Sequence, residues 1–136
     1  MKYMIMLYAS QHDYDAMSGN ATPAWSGEQL AAMGAFMEAF HAELVESGEL
    51  VDAQGLAAPV HTRRMQVTNG VSVVTDGPYP ETQEVLAGYT IVECDSFDRA
   101  TEIAGRMAKC PPGPGGAEGN FLDIRPVVDG RDELGI

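Results

Sequence analysis

At 136 residues, 45% of them apolar, the chain has room for one domain with a sizeable core, lacks room for a second full one, and is too apolar to default to disorder. Eight Lys and Arg against 20 Asp and Glu give a formal charge of −12, which argues against nucleic acid or an anionic membrane as partner, because both require clustered cations and the densest basic spot is Arg63-Arg64. No apolar run approaches the ~20 residues that span a bilayer, and the start lacks the cationic, apolar and small-residue segments of a signal peptide, so a cytoplasmic location is expected.

The first predicted element is a strand over Lys2–Ala9, with Tyr3, Ile5 and Leu7 at one parity and Met4, Met6 and Tyr8 at the other. A strand wet on one side alternates apolar with polar, so this one is expected to have both faces covered. Ser10 to Gly27 is rich in turn formers and reads as a long loop. From Glu28, Leu30, Met33, Met37, Phe40 and Leu44 recur at steps of three and four, one face of an amphipathic helix, with Ser26 and Gln29 as a capping box and Gly48 as its stop.

Glu49–Ala57 reads as a strand and turn, and His61–Thr68 as the next strand. Asn69-Gly70 is a hairpin signal, because a type I′ turn needs positive φ at both central residues, and Val71–Thr75 closes the hairpin. After a turn-rich stretch at Asp76–Pro80, Val85–Cys94 resumes strand character. Asp95 or Ser96 then caps a second helix whose apolar face is Phe97, Ala100, Ile103, Ala104 and Met107, ended by Pro111. Three prolines and four glycines in Pro111–Gly119 exclude regular structure there. Phe121–Val128 is the last strand, and the tail at 131–136 is expected to fray.

This order predicts an α+β, ferredoxin-like sandwich with an added hairpin, one domain over 1–136. Two helices cover one face of a sheet. The apolar parity of the first strand therefore asks a second copy to cover the other, in a homodimer with sheets face to face.

Chemistry concentrates in Val74–Glu93. Asp76-Gly77-Pro78 sets a bend, and Asp76, Glu81 and Glu84 follow within nine residues beside Tyr79 and Thr82. Such carboxylates either bind a cation or supply a general base, if burial or neighbouring charge raises one pKa, or are solvated acids on a rigid turn. His12, beside Asp13 and Asp15, is either a solvated loop residue or an oriented imidazole; His41 reads as a packing residue of the first helix, and His61 as the opening of a strand. The histidines lack ligand spacing, so no metal site is expected. Arg63, Arg64 and Arg125 are each expected to meet a carboxylate, with anion recognition the alternative. Trp25 is either a lid or an anchor. Cys94 and Cys110, without CxxC or a nearby His, read as inert reduced thiols, and the methionines as packing residues.

TDGPYPETQEVLAGY resembles the DGPF-A-E-T-K-E signature of the DGPF branch of the YCII-related proteins, and KYMIMLYA, Ala35-Phe36-Met37-Glu38, GELVDAQGL and DIRPV fall where that family places their equivalents. Tyr79 replaces Phe, Pro80 replaces Ala, Gln83 replaces Lys, removing a cation, and Ala87 replaces the first Gly. The resemblance implies a dimeric α/β barrel assembly. Related barrels include muconolactone isomerases and a chlorohydroquinone dehydrochlorinase, which work without an organic cofactor, while other members resemble regulatory modules encoded beside or fused to extracytoplasmic-function sigma factors. A His–Asp pair proposed for some members is not carried over, because the family's histidine position falls nearer Glu38 than His41.

Two expectations follow. One is a small-molecule pocket between the DGPY turn, the long loop and the sheet, where Asp76 shapes the turn, Glu81 or Glu84 acts as base, Tyr79, Thr82, Arg125 and His12 bind, and a lyase- or isomerase-like proton transfer needs no cofactor. The other is a non-catalytic regulatory module that docks a protein such as a sigma factor.

Overall fold

The computed structural model describes residues 1–130, so the tail at 131–136 lies outside the described residues. Strand β1 (Lys2–Ala9) lies second from one edge of a four-stranded sheet and separates its side chains by their two-residue period. It pairs antiparallel with β5 (Val85–Glu93) on one side and β6 (Leu122–Pro126) on the other, and β2 (Leu50–Gly55) pairs antiparallel with β5. The order β2-β5-β1-β6 is that of an α+β fold consistent with a ferredoxin-like sandwich. Ile5 faces Thr90 on one neighbour and Ile124 on the other, and both Ile5 and Thr90 are buried.

The covered face of the sheet meets two helices. In α2 (Gly27–Ser47) the Ser26 hydroxyl accepts from the Gln29 N–H at 3.1 Å while the Gln29 side chain accepts from the Ser26 N–H at 2.9 Å, and Gly48 closes the helix at φ 78°. Helix α3 (Phe97–Met107) is capped by Ser96, whose hydroxyl accepts from the Arg99 N–H. Tyr3, Ile5, Phe40, Leu44, Val92, Ile103 and Met107 form the core between these layers. The α2 stripe is only partly buried: Phe40 and Leu44 are sealed, whereas Leu30, Met33 and Met37 are half-buried. At 21 residues α2 is about 31 Å long, and the 11 residues of α3 span about half of that.

One ion pair fastens the layers. Arg99 at the start of α3 donates from Nε to Glu49 Oε2 at 2.9 Å and from Nη2 to Glu49 Oε1 at 2.8 Å, a two-point fork onto the link between α2 and β2.

Several elements differ from their sequence expectations. The expected loop at Ser10–Gly27 contains a helix, α1 (Gln11–Ser18), capped by Ser10 and Asp13 in a reciprocal box and stopped by Gly19 at φ 85°. His61 does not open a strand: it closes a short 3-10 turn at Pro59–His61, and β3 starts at Arg63. The last strand is shorter than expected, Leu122–Pro126, and the Val127 N–H still donates to the Lys2 carbonyl at 2.9 Å. The hairpin of β3 (Arg63–Thr68) and β4 (Val71–Asp76) turns at Asn69 (φ 52°) and Gly70 (φ 76°), as the dipeptide predicts. It forms its own two-stranded sheet, and Met65, Val67, Val71, Val73 and Val74 are exposed on it.

The sheet's second face carries no helix. Met4 opposite Ile91 and Met6 opposite Tyr89 make its apolar centre, each half-buried. Asp123 and Arg125 on β6 and Asp52 on β2 flank them in register.

Two substitutions test the frame. The Arg99 fork holds the Glu49 carboxyl down to about 2, against about 4.3 in an unfolded chain, so its stabilisation is complete above about pH 5 and is lost as pH falls toward 2. Glu49→Gln is expected to cost about 1–2 kcal/mol at neutral pH in urea unfolding, with the gap to the natural chain closing across that acid window. At Gly88 a Cβ would sit 2.9 Å from the Gln54 carbonyl oxygen, so Gly88→Ala must push β5 and β2 apart and is expected to cost about 1–3 kcal/mol in the same measurement.

Candidate functional site

A cavity of about 550 Å³ opens where the end of β1, helix α1, Trp25 and the Gly/Pro-rich segment 110–121 converge. Each wall has a local cause. The Trp25 backbone N–H donates to the Ala16 carbonyl at 3.0 Å, and its indole lies directly on Gly113, where a Cβ would collide with the ring. Tyr8, last but one in β1, stacks on Phe121 with centroids 5.2 Å apart and donates its hydroxyl to Asp123 at 2.9 Å. That hydrogen bond to a carboxylate raises the Tyr8 phenol above its ordinary value, so it stays protonated.

Helix α1 ties the surrounding segments to this wall. Gln11 accepts the Val60 N–H at 2.8 Å, and the His12 N–H donates to the Glu81 carbonyl at 3.0 Å. Tyr14 donates to the Leu56 carbonyl at 2.8 Å, and burial raises its phenol above the ordinary value. Asp13 and Asp15 do not orient His12: Asp13 accepts the Ser10 N–H and Asp15 accepts from the Gln11 side chain. The His12 imidazole has no hydrogen-bond partner among the described residues, and it lines the cavity.

Of the residues singled out in the sequence, His12, Trp25, Glu84 and Cys110 reach this cavity, and Asp76, Tyr79, Glu81, Thr82 and Arg125 lie outside its lining. Asp76 meets Arg63 at 3.4 Å across the base of the hairpin, with both side chains about four-fifths exposed, a pair worth at most about 1 kcal/mol. Gly77 makes the bend at φ 55°, its N–H donating to the Thr62 carbonyl at 2.8 Å. Arg64 covers the Tyr79 ring at 4.9 Å instead of pairing with a carboxylate. Glu81 and Thr82 are exposed, and Glu81 reaches α1 through its backbone carbonyl. Arg125 is exposed on the open sheet face and makes no ion pair within 4 Å among the described residues.

Tyr8, Asp13, Glu118 and Phe121 complete the walls, and sequence reasoning had not assigned them to a site. The Ser10-x-x-Asp13 box was the available signal for α1 and hence for Asp13. The Gly/Pro-rich segment has no periodicity from which Glu118 or Phe121 could have been placed. His41 packs against Phe40, with its Nε2 buried and without a hydrogen-bond partner, and His61 is exposed. Burial raises both thiols, Cys94 and Cys110, above the ordinary range, which keeps them protonated. Among the described residues no group of three or more His, Cys, Asp or Glu is placed to hold a metal ion, and no helix is long and apolar enough to cross a membrane.

An uncharacterised protein of Rhizobium meliloti (strain 1021) is 27% identical to this chain over 128 residues, covering 94% of this chain and 93% of that protein. The YCII-related domain matches residues 1–118, which takes in β1, α1, Trp25, Glu84 and all of the cavity wall up to Glu118. The chain belongs to the YCII-related family.

Proposed function

We propose that the chain is a small-molecule-binding protein of the DGPF branch whose ligand occupies the cavity beside Trp25, and that His12 and Glu84 exchange a proton with it in a cofactor-independent, lyase- or isomerase-like step. The observation that carries this reading is the convergence, in a cavity of about 550 Å³, of an imidazole and a carboxylate that no hydrogen bond within the described residues occupies. That volume lies in the range of small-molecule sites. An imidazole and a carboxylate are side chains that take and return protons from carbon or oxygen acids held within reach.

The rest of the DGPY segment serves by placement. The Asp76–Arg63 pair, the Gly77 bend and the Arg64–Tyr79 stack fix the base of the hairpin, and the Glu81 carbonyl holds the N–H of His12 itself. The match of Val74–Glu93 to the DGPF signature supports the branch assignment.

The same proposal includes a homodimer. Met4, Met6, Tyr89 and Ile91 supply an apolar centre on a sheet face that carries no helix, and two such faces brought together form the dimeric α/β barrel. One observation favours the second reading, a regulatory module that docks a protein such as an extracytoplasmic-function sigma factor: the β3–β4 hairpin exposes five apolar side chains and has no charged residue between Met65 and Thr75.

A thermal-shift screen of small cyclic acids, lactones and amines is expected to return a compound that raises Tm for the natural chain and fails to do so for Gly113→Ala, in which the Trp25 wall is displaced. Glu84→Gln should keep the fold and lose about 10²–10⁴-fold in turnover of that compound. Full binding by Gly113→Ala would remove the cavity from consideration. For the assembly, sedimentation should give about twice the 14.5 kDa chain mass, and Met6→Asp should give the monomer.

A further inference from the structure

The sign of the charge around the cavity selects its ligand class. Asp13, Glu84 and Glu118, each exposed to solvent at the rim, line it, and among the described residues no Lys or Arg does. Four of the cations meet other partners: Arg63 on Asp76, Arg99 on Glu49 and Glu102, Arg106 on Glu43, Arg64 over Tyr79; Lys2, Lys109 and Arg125 also lie outside the lining. Asp13 is engaged by the Ser10 N–H, whereas the Glu84 and Glu118 carboxylates have no hydrogen-bond partner among the described residues. Three rings, Tyr8, Trp25 and Phe121, stand in the same walls.

Carboxylates alone attract any small cation. Aromatic walls add selectivity, because a π-face attracts a weakly hydrated organic cation while the apolar ring surface repels a hydrated metal ion. A concave site lined by one sign of charge concentrates ligands of the opposite sign and excludes its own, and the formal charge of −12 reinforces the exclusion of anions. We propose that the cavity takes organic cations, specifically amines or quaternary ammonium compounds attached to an aromatic or similarly sized apolar body, the cationic head lying toward Glu84 and Glu118 and the apolar body against Trp25. This deepens the reading of the cavity as a ligand site and rests on it.

Trp25 is the one tryptophan of the sequence, so intrinsic fluorescence reports on this wall alone. The test is a titration of the full chain at fixed ionic strength with three soluble probes of similar shape: 2-phenylethylammonium, 2-phenylethanol and phenylacetate. The ammonium should saturate the Trp25 signal at a concentration about tenfold below the alcohol, with phenylacetate weakest. The double variant Glu84→Gln/Glu118→Gln, checked for unchanged circular dichroism, should bring the ammonium to the level of the alcohol and leave the alcohol unaltered. Equal binding of the three probes, tighter phenylacetate, or an ammonium preference that survives the double variant would overturn the cation assignment while the ligand-site reading stands. No saturable response to any probe at tens of millimolar would overturn both.

Discussion

The two-residue period of β1 is the constraint on which the rest of the molecule depends. Paired on both sides, the strand cannot rotate or slip, so Tyr3 and Ile5 must enter the core and Met4 and Met6 must face away from the helices. The same parity carries Tyr8 to the end of the strand, where its ring joins Phe121 and its hydroxyl meets Asp123. Core, open face and cavity wall are thus three outcomes of one register.

Helix α1 plays a second organising part. Eight residues long, it buries only Ala16 completely, so packing contributes little to holding it. It is held by polar contacts at several points: a cap at Ser10, Gln11 on the Val60 backbone, His12 on Glu81, Tyr14 on Leu56. The last three reach two irregular segments, 56–62 and 77–84. A motif rich in acids, Asp76 to Glu84, is therefore tied by one backbone hydrogen bond, His12 N–H to Glu81 carbonyl, to a helix far away in sequence, and Asp76, Glu81 and Glu84 are exposed.

What the sequence disclosed, and what it hid, follows from locality. The capping box at Ser26 and Gln29, the Gly48 stop and the Asn69-Gly70 turn are decided by neighbours within four residues, and all three stand in the structure. The order along the chain of the long strands and of α2 and α3 was accessible from periodicity. Helix α1 was concealed because its box uses Asp13 in place of the usual Glu or Gln and its few apolar residues make no stripe. His61 was misplaced because Pro59 starts a 3-10 turn just where strand character begins. The cavity was hidden for a deeper reason: residues 8, 12, 25, 84, 118 and 121 meet there, and only tertiary packing relates them. His12 and Glu84 were legible as candidates, but their meeting was not.

Helix α2 carries four acidic residues, Glu28, Glu38, Glu43 and Glu46, all exposed, and no Lys or Arg anywhere along its length. Arg106 on α3 meets Glu43, and Glu28, Glu38 and Glu46 leave the exposed side of α2 a negative wall. At long range, before any atoms touch, another acidic macromolecule feels repulsion from that wall and turns away from it. The helix therefore acts on acidic macromolecules by repulsion rather than by contact.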